Sequence, residues 1–280
     1  MASTTTADVE RPPGQPVEAA IEDRDTFGDS RTATLLMRMA FLVALLLSWE
    51  WISATFDVQF FISSPTAIWE QLSDWVVTGF LARHIGTTVL AMFYGFLLGT
   101  GTGIISGFVL GLIPVLARIL DPFIMAVYSL PKLALAPLFV LWFGIGLEMK
   151  VVLTGVIVFF FVFWNTFAGV RETDDELVDV LRVMGASQKD IIRKVVLPGS
   201  LTYIYVGLKL AIPMSLVGAV VGELIASNRG IGWVLMSNAG QFNTSGVMAA
   251  LVVLMLIATV MNALLNRSEQ YVMRWKRAGR

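Results

Sequence analysis

The chain has 280 residues, 56% of them hydrophobic and 15% charged, with a formal net charge of -1. With a mean hydropathy of +0.74 and apolar runs of about twenty residues, it reads as a multi-span membrane protein. There is no cysteine and a single histidine, His84, which excludes disulfides, iron–sulfur clusters, thiolate metal sites and histidine relays; among the carboxylates, Glu50 and Glu223 fall in or near apolar runs, so an intramembrane enzyme is disfavoured.

In chain order, residues 1–33 form a polar tail. Up to Arg31 it holds seven acids, three arginines and three prolines, the composition of a disordered segment. A secretory leader would begin with a basic stretch and a short apolar core, so the N-terminus is expected to be retained. Six apolar runs follow, at about 34–54, 86–112, 119–143, 149–169, 201–225 and 246–265, each long enough to span as a helix. The predicted fold class is an all-α membrane protein with a spanning domain over 34–266 and a basic tail over 267–280.

An even number of spans puts both termini on one side, and basic residues choose which. Fifteen of the twenty Lys and Arg lie in the N-terminal tail, the 113–118 turn, the 170–200 loop and the C-terminal tail. Those segments are predicted to be cytoplasmic. The opposite set carries Arg83, Lys150 and Arg229, while Lys132 and Lys209 lie inside apolar runs.

Between the first two spans, Ile68, Leu72, Trp75, Val76 and Phe80 share a helical face, which predicts either an interfacial helix on the outer leaflet or a helix packed on the bundle. In the second span Gly95, Gly99, Gly103, Gly107 and Gly111 form a ridge that lets helices approach closely. At about 40° of precession per step, the ridge is expected to serve more than one neighbour. Pro131 and Pro137 predict a broken or kinked third span, tolerated where it lines a cavity or packs against protein.

The loop over 172–199 reads as two short amphipathic helices. Thr173, with Asp174, Asp175 and Glu176 after it, has the form of a capping box; Leu177, Val180, Leu181 and Met184 define an apolar face, and Gly185 ends the helix. Ser187 is placed to cap a second helix, with Asp190 in its first turn and Pro198 as a stop. A DNA-binding helix-turn-helix is opposed by the charges, because five basic residues face six acids and phosphate binding requires a basic surface. The mixed charge suits a protein partner, and no nucleic acid is expected.

These residues resemble the transmembrane subunits of bacterial ATP-binding-cassette importers that work with a substrate-binding protein. That family carries EAA, three residues, Gly, nine residues, Ile, one residue, Leu-Pro; here Asp179, Gly185, Val195, Leu197 and Pro198 stand in register, with Asp-Val-Leu in place of Glu-Ala-Ala. YSLPKLALAPLFVLWFGIG at 128–146, with SPTAIW, GLKLAIPMSLVGAVVGEL and NRGIGWVL, is similar to the nitrate, sulfonate, taurine and bicarbonate branch. The likeness covers nearly all of the chain beyond residue 60.

The resemblance implies a type I importer permease fold in a bacterial plasma membrane, working as a pair, with a homodimer expected, and an extracytoplasmic substrate-binding protein outside. It implies that each loop inserts into one of two ATPase subunits through Asp179, Gly185, Ala186, Ser187, Leu197 and Pro198. No GxxxxGK[ST] phosphate loop occurs in the chain, so ATP and Mg are expected on that partner and no cofactor on this chain. The substrate implied is a small organic or inorganic anion; a neutral vitamin or pyrimidine precursor is the alternative within the class, and a stand-alone secondary transporter the alternative outside it.

Ionisable groups inside spans are functional candidates by default. Lys132, beside Pro131, is placed to attract an anion, the bland reading being snorkelling or a carboxylate partner. Glu223 either pairs locally or borders the gate, and Lys209 snorkels. Tyr128 and Trp164 line the pathway or pack within the bundle, as do Trp142 and Asn165. The candidate pathway set is Tyr128, Pro131, Lys132, Trp164 and Glu223.

Overall fold

The computed structural model describes residues 31–56 and 58–272; the acidic tail before Arg31 and the last part of the basic C-terminal tail lie outside the described residues. Among the described residues all regular structure is helical. The chain divides into two compact units, Met1–Asp57 and Val58–Arg280. In the first, α1 (Arg31–Thr55) is a continuous apolar helix, and Trp51 near its end meets the edge of Phe56 at 6.3 Å between ring centroids.

The second unit opens with α2 (Gln59–Ile62) and α3 (Pro65–Val77). The Ser64 side chain accepts the Ala67 N–H at 3.3 Å and Pro65 occupies the first turn, both ordinary helix-starting devices. The face expected for this helix divides. Ile68 and Trp75 are buried against the bundle, Val76 points outward beside exposed Trp69 and Val77, and Phe80 opens the next helix.

That helix is α4 (Phe80–Leu112). Pro114 then starts α5 (Pro114–Ser129). Leu130 is extended (ψ 136°), the conformation a following proline favours; Pro131, a tight turn over Lys132–Leu135 and α6 (Ala136–Phe143) follow. The third apolar run is therefore two pieces bent by 81°. Next come α7 (Leu147–Arg171), α8 (Asp175–Val183), α9 (Gln188–Ile191), α10 (Leu197–Ile225), α11 (Ile231–Gly240) and α12 (Thr244–Val272). Among the described residues, five helices are long and apolar enough to cross a membrane, or six if the bent pair is one span.

The centre of the unit is α4 and α10 on either side of α7. A Cβ placed on Gly99 would lie 2.5 Å from the Gly155 carbonyl oxygen, on Gly103 2.9 Å from that of Phe159, and on Gly107 2.7 Å from that of Phe163. Only glycine admits such an approach. Gly95 meets Thr154 and Gly111 meets Val170, so the whole ridge faces α7 alone rather than several neighbours. An i, i+4 row is inclined to its helix axis, and α7 follows that row.

Contacts advance together along both chains, so α4 and α7 run parallel. Those between α7 and α10 run oppositely, from Gly222 beside Lys150 to Gly169 beside Tyr203. The bundle thus has a loop end, near residues 112, 171 and 197, and an opposite end, near residues 80, 147 and 225.

Candidate functional site

At the loop end α8 is capped by Asp174, whose carboxylate accepts the Glu176 N–H at 2.9 Å and the Leu177 N–H at 3.4 Å. This corrects the expected cap at Thr173, whose hydroxyl donates back to the Val170 carbonyl at 2.8 Å. Gly185 takes φ +80°; its N–H bonds to the Arg182 carbonyl at 2.9 Å and the Ala186 N–H to that of Leu181 at 3.0 Å. This pair of bonds is a Schellman ending, and the left-handed residue it requires is why glycine stands here. Ala186 supplies the second N–H.

The capping box belongs to Ser187 instead. Its hydroxyl accepts the Asp190 N–H at 3.3 Å, while the Asp190 carboxylate accepts the Ser187 N–H at 3.2 Å and hydroxyl at 2.5 Å. Pro198 does not stop the second helix, as the sequence had suggested. A π turn over Ile192–Val196, in which the Leu197 N–H reaches the Ile192 carbonyl, carries the chain into α10 with Pro198 in its first turn. The wider turn removes the clash that a proline ring would make four residues back.

The predicted apolar face of α8 also divides. Val178 is buried with Val170, Ile191 and Val196, against which Leu181 and Phe108 pack. Leu177, Val180, Val183 and Met184 are exposed, the last two at 90% and 76%. One side of the helix is held by the bundle and the other is uncovered. Asp179 is exposed and pairs with Arg182 at 3.1 Å, and Lys194 with Asp190 at 3.6 Å; Tyr203 donates to Glu172, tying the start of the loop to α10.

At the break between α5 and α6, the Lys132 ammonium donates to the Tyr128 carbonyl at 2.7 Å. It lies 4.3 Å from the Tyr128 ring centroid and 4.8 Å from that of Phe160. Trp164 stands edge-on to Tyr128 at 6.1 Å, and its Nε1–H is buried without a partner among the described residues. Four of the candidate pathway residues, Tyr128, Pro131, Lys132 and Trp164, are thus brought together. The cation is fixed by a carbonyl and two rings, none of which cancels its charge.

Glu223 lies elsewhere, buried at the opposite end. Its carboxylate accepts the Thr88 hydroxyl at 3.0 Å and the Gly232 N–H at 2.8 Å, with Lys150 Nζ at 3.8 Å. Lys150 donates to the Arg229 carbonyl at 3.2 Å. Thr88 accepts the Ile231 N–H at 2.8 Å, and His84 Nδ1 accepts the Gly230 N–H at 3.1 Å while its ring stacks on Trp233 at 5.3 Å. Gly230, at φ +113°, has no room for a Cβ beside the Glu223 carboxylate. Lys150, sorted by sequence with the outer loops, is 3% exposed and part of this clasp; it, Thr88 and His84 were missed as a group. The available signal was that a lone acid inside a span demands a cation, and Lys150 lies near the matching end of its own span.

Residues 99–277 match the family described as the binding-protein-dependent transport system inner membrane component. The chain belongs to this family. It is a permease component of an ATP-binding-cassette importer, which sets aside the stand-alone transporter. The permease is 32% identical to SsuC of Bacillus subtilis, described as an aliphatic sulfonates transport permease protein, over 77% of this chain and 78% of that one. It is 31% identical to the riboflavin transport system permease protein RibX of Chloroflexus aurantiacus, over 84% and 88%. An inward-facing structure of the MetNI methionine ABC transporter shares the fold, with a TM-score of 0.55 at 21% identity over 74% of this permease and 94% of that chain.

Proposed function

We propose that two copies of this permease form the path by which an ATP-driven importer moves a small organic anion. The observation that carries the substrate class is Lys132, an ammonium held at the 81° break among Tyr128, Phe160 and Trp164. An ammonium held by a carbonyl and two rings at the break of an apolar span favours an anion, and the sulfonate permease SsuC among the relatives supports the same class. RibX, nearly as similar, supports a second reading, a neutral vitamin.

In this reading the loop end faces the cytoplasm with both termini. The exposed Leu177, Val180, Val183 and Met184, set in the frame that Asp179, Gly185, Ala186, Ser187, Leu197 and Pro198 provide, dock on a separate ATPase subunit that binds ATP and Mg. An extracytoplasmic substrate-binding protein delivers solute at the opposite end. Lys132→Ala is expected to abolish most uptake of an alkanesulfonate by the reconstituted importer while the ATPase still copurifies. Unchanged uptake removes Lys132 from the path, and uptake of riboflavin but not sulfonate selects the vitamin reading.

A further inference from the structure

At the loop end α5 and α7 line an open cavity of about 290 Å³, formed by Ala117, Arg118 and Asp121 from α5 and by Phe167 and Arg171 from α7. Its base is apolar, since Ala117 is buried with Leu110 and Phe163. The three charged side chains are exposed. None of the ion pairs among the described residues engages Arg118, Asp121 or Arg171. The Arg171 guanidinium carbon lies 5.5 Å from the Phe167 ring centroid, an arrangement that orients a cation and leaves its hydrogen-bond donors free.

Packed aromatic rings link the wall of the cavity to the site at the break. Phe167 is 6.0 Å from Trp164, Trp164 is 6.1 Å from Tyr128, and Tyr128 lies under Lys132. A line of aromatic rings therefore joins two cationic positions. Arg118 and Arg171 against Asp121 leave one net positive charge. That balance suits a single-charged oxyanion and gives a polyanion such as a nucleotide little advantage.

We propose that this cavity is an oxyanion site, where Arg118 and Arg171 bind one monovalent sulfonate, carboxylate or phosphodiester group, and that it is the last station of a transported anion leaving Lys132 for the cytoplasm. The transport role rests on the anion reading of Lys132; the binding does not. The same chemistry is carried by a free sulfonate and by an anionic lipid headgroup, so the test separates the two.

Radiolabelled methanesulfonate is titrated onto the permease–ATPase complex in phosphatidylcholine nanodiscs, for wild type, Arg118→Gln, Arg171→Gln, the double variant, and Arg83→Gln as a cation lost from the opposite end. Each single loop-end variant is expected to weaken binding about tenfold, the worth of a charge-assisted hydrogen bond, and the double variant to abolish it, with Arg83→Gln unaffected. Asp121→Asn tightens it. Absence of saturable binding, or equal binding by the double variant, overturns the site. If phosphatidylglycerol is instead retained in native mass spectra, is lost in the double variant, and methanesulfonate does not bind, the cavity is a lipid seat and the exit role is overturned. If methanesulfonate binds but the importer carries only a neutral solute, the site stands and the anion reading of the substrate fails.

Discussion

The two ends of the bundle handle their polar and apolar groups in opposite ways. At the clasp, Thr88, Lys150 and Glu223 are buried and bonded to one another and to the backbone of residues 229–232, so α11 is fixed to α4, α7 and α10 by groups within the chain. At the loop, the charges are exposed, and a row of large apolar side chains from Leu177 to Met184 stands uncovered. A region whose bonding is complete within the chain holds its own geometry. A region with an uncovered apolar row and a rigid frame presents that geometry to another molecule.

The largest test of this contrast is Glu223→Ala. It leaves Lys150 buried without its counter-charge and should lower stability by about 3–5 kcal/mol, read as a drop in the unfolding temperature of the purified permease. The paired change Lys150→Met with Glu223→Met should cost less than either alone. If the single and paired variants unfold alike, the clasp is not a coupled unit.

At the other end, Val180→Asp combined with Met184→Asp should weaken association with the ATPase subunit by about 2 kcal/mol, roughly 30-fold. The unfolding temperature should stay at the wild-type value, because neither side chain is buried. An equal loss of stability would mean that the row serves the fold. The smallest effect is Ser187→Ala, which removes one half of the capping box and should cost about 1 kcal/mol locally. Faster hydrogen exchange at the Asp190 amide, with global unfolding unchanged, is the expected pattern.

How far each region was legible follows from the range of its interactions. Apolar runs placed the long helices because lipid leaves the backbone no other choice, and Gly185 marked a helix end because a left-handed residue is a local requirement. Proline was less direct. Pro131 breaks its span, Pro122 and Pro213 sit within helices, and Pro198 opens one after a π turn. What a proline does depends on whether the preceding turn can widen, which residue identity does not record. The clasp was illegible because Lys150 and Glu223 meet through the antiparallel packing of α7 and α10, and periodicity carries no register between helices. On α8 the apolar arc is wide, opposite Asp175, Glu176, Asp179 and Arg182, so the sequence did not say that the bundle takes the edge with Val178 and Leu181 and leaves Leu177, Val180 and Met184 exposed.

The glycine row joining α4 to α7 has a mechanical consequence. Each notch in α4 is filled by backbone or side-chain atoms of α7, so the two helices cannot slide past one another without a steric clash at every step. The loop begins directly after Arg171, the last residue of α7. A thrust applied there meets a stiff double strut, and it travels the length of the bundle as tilt with little lost to bending.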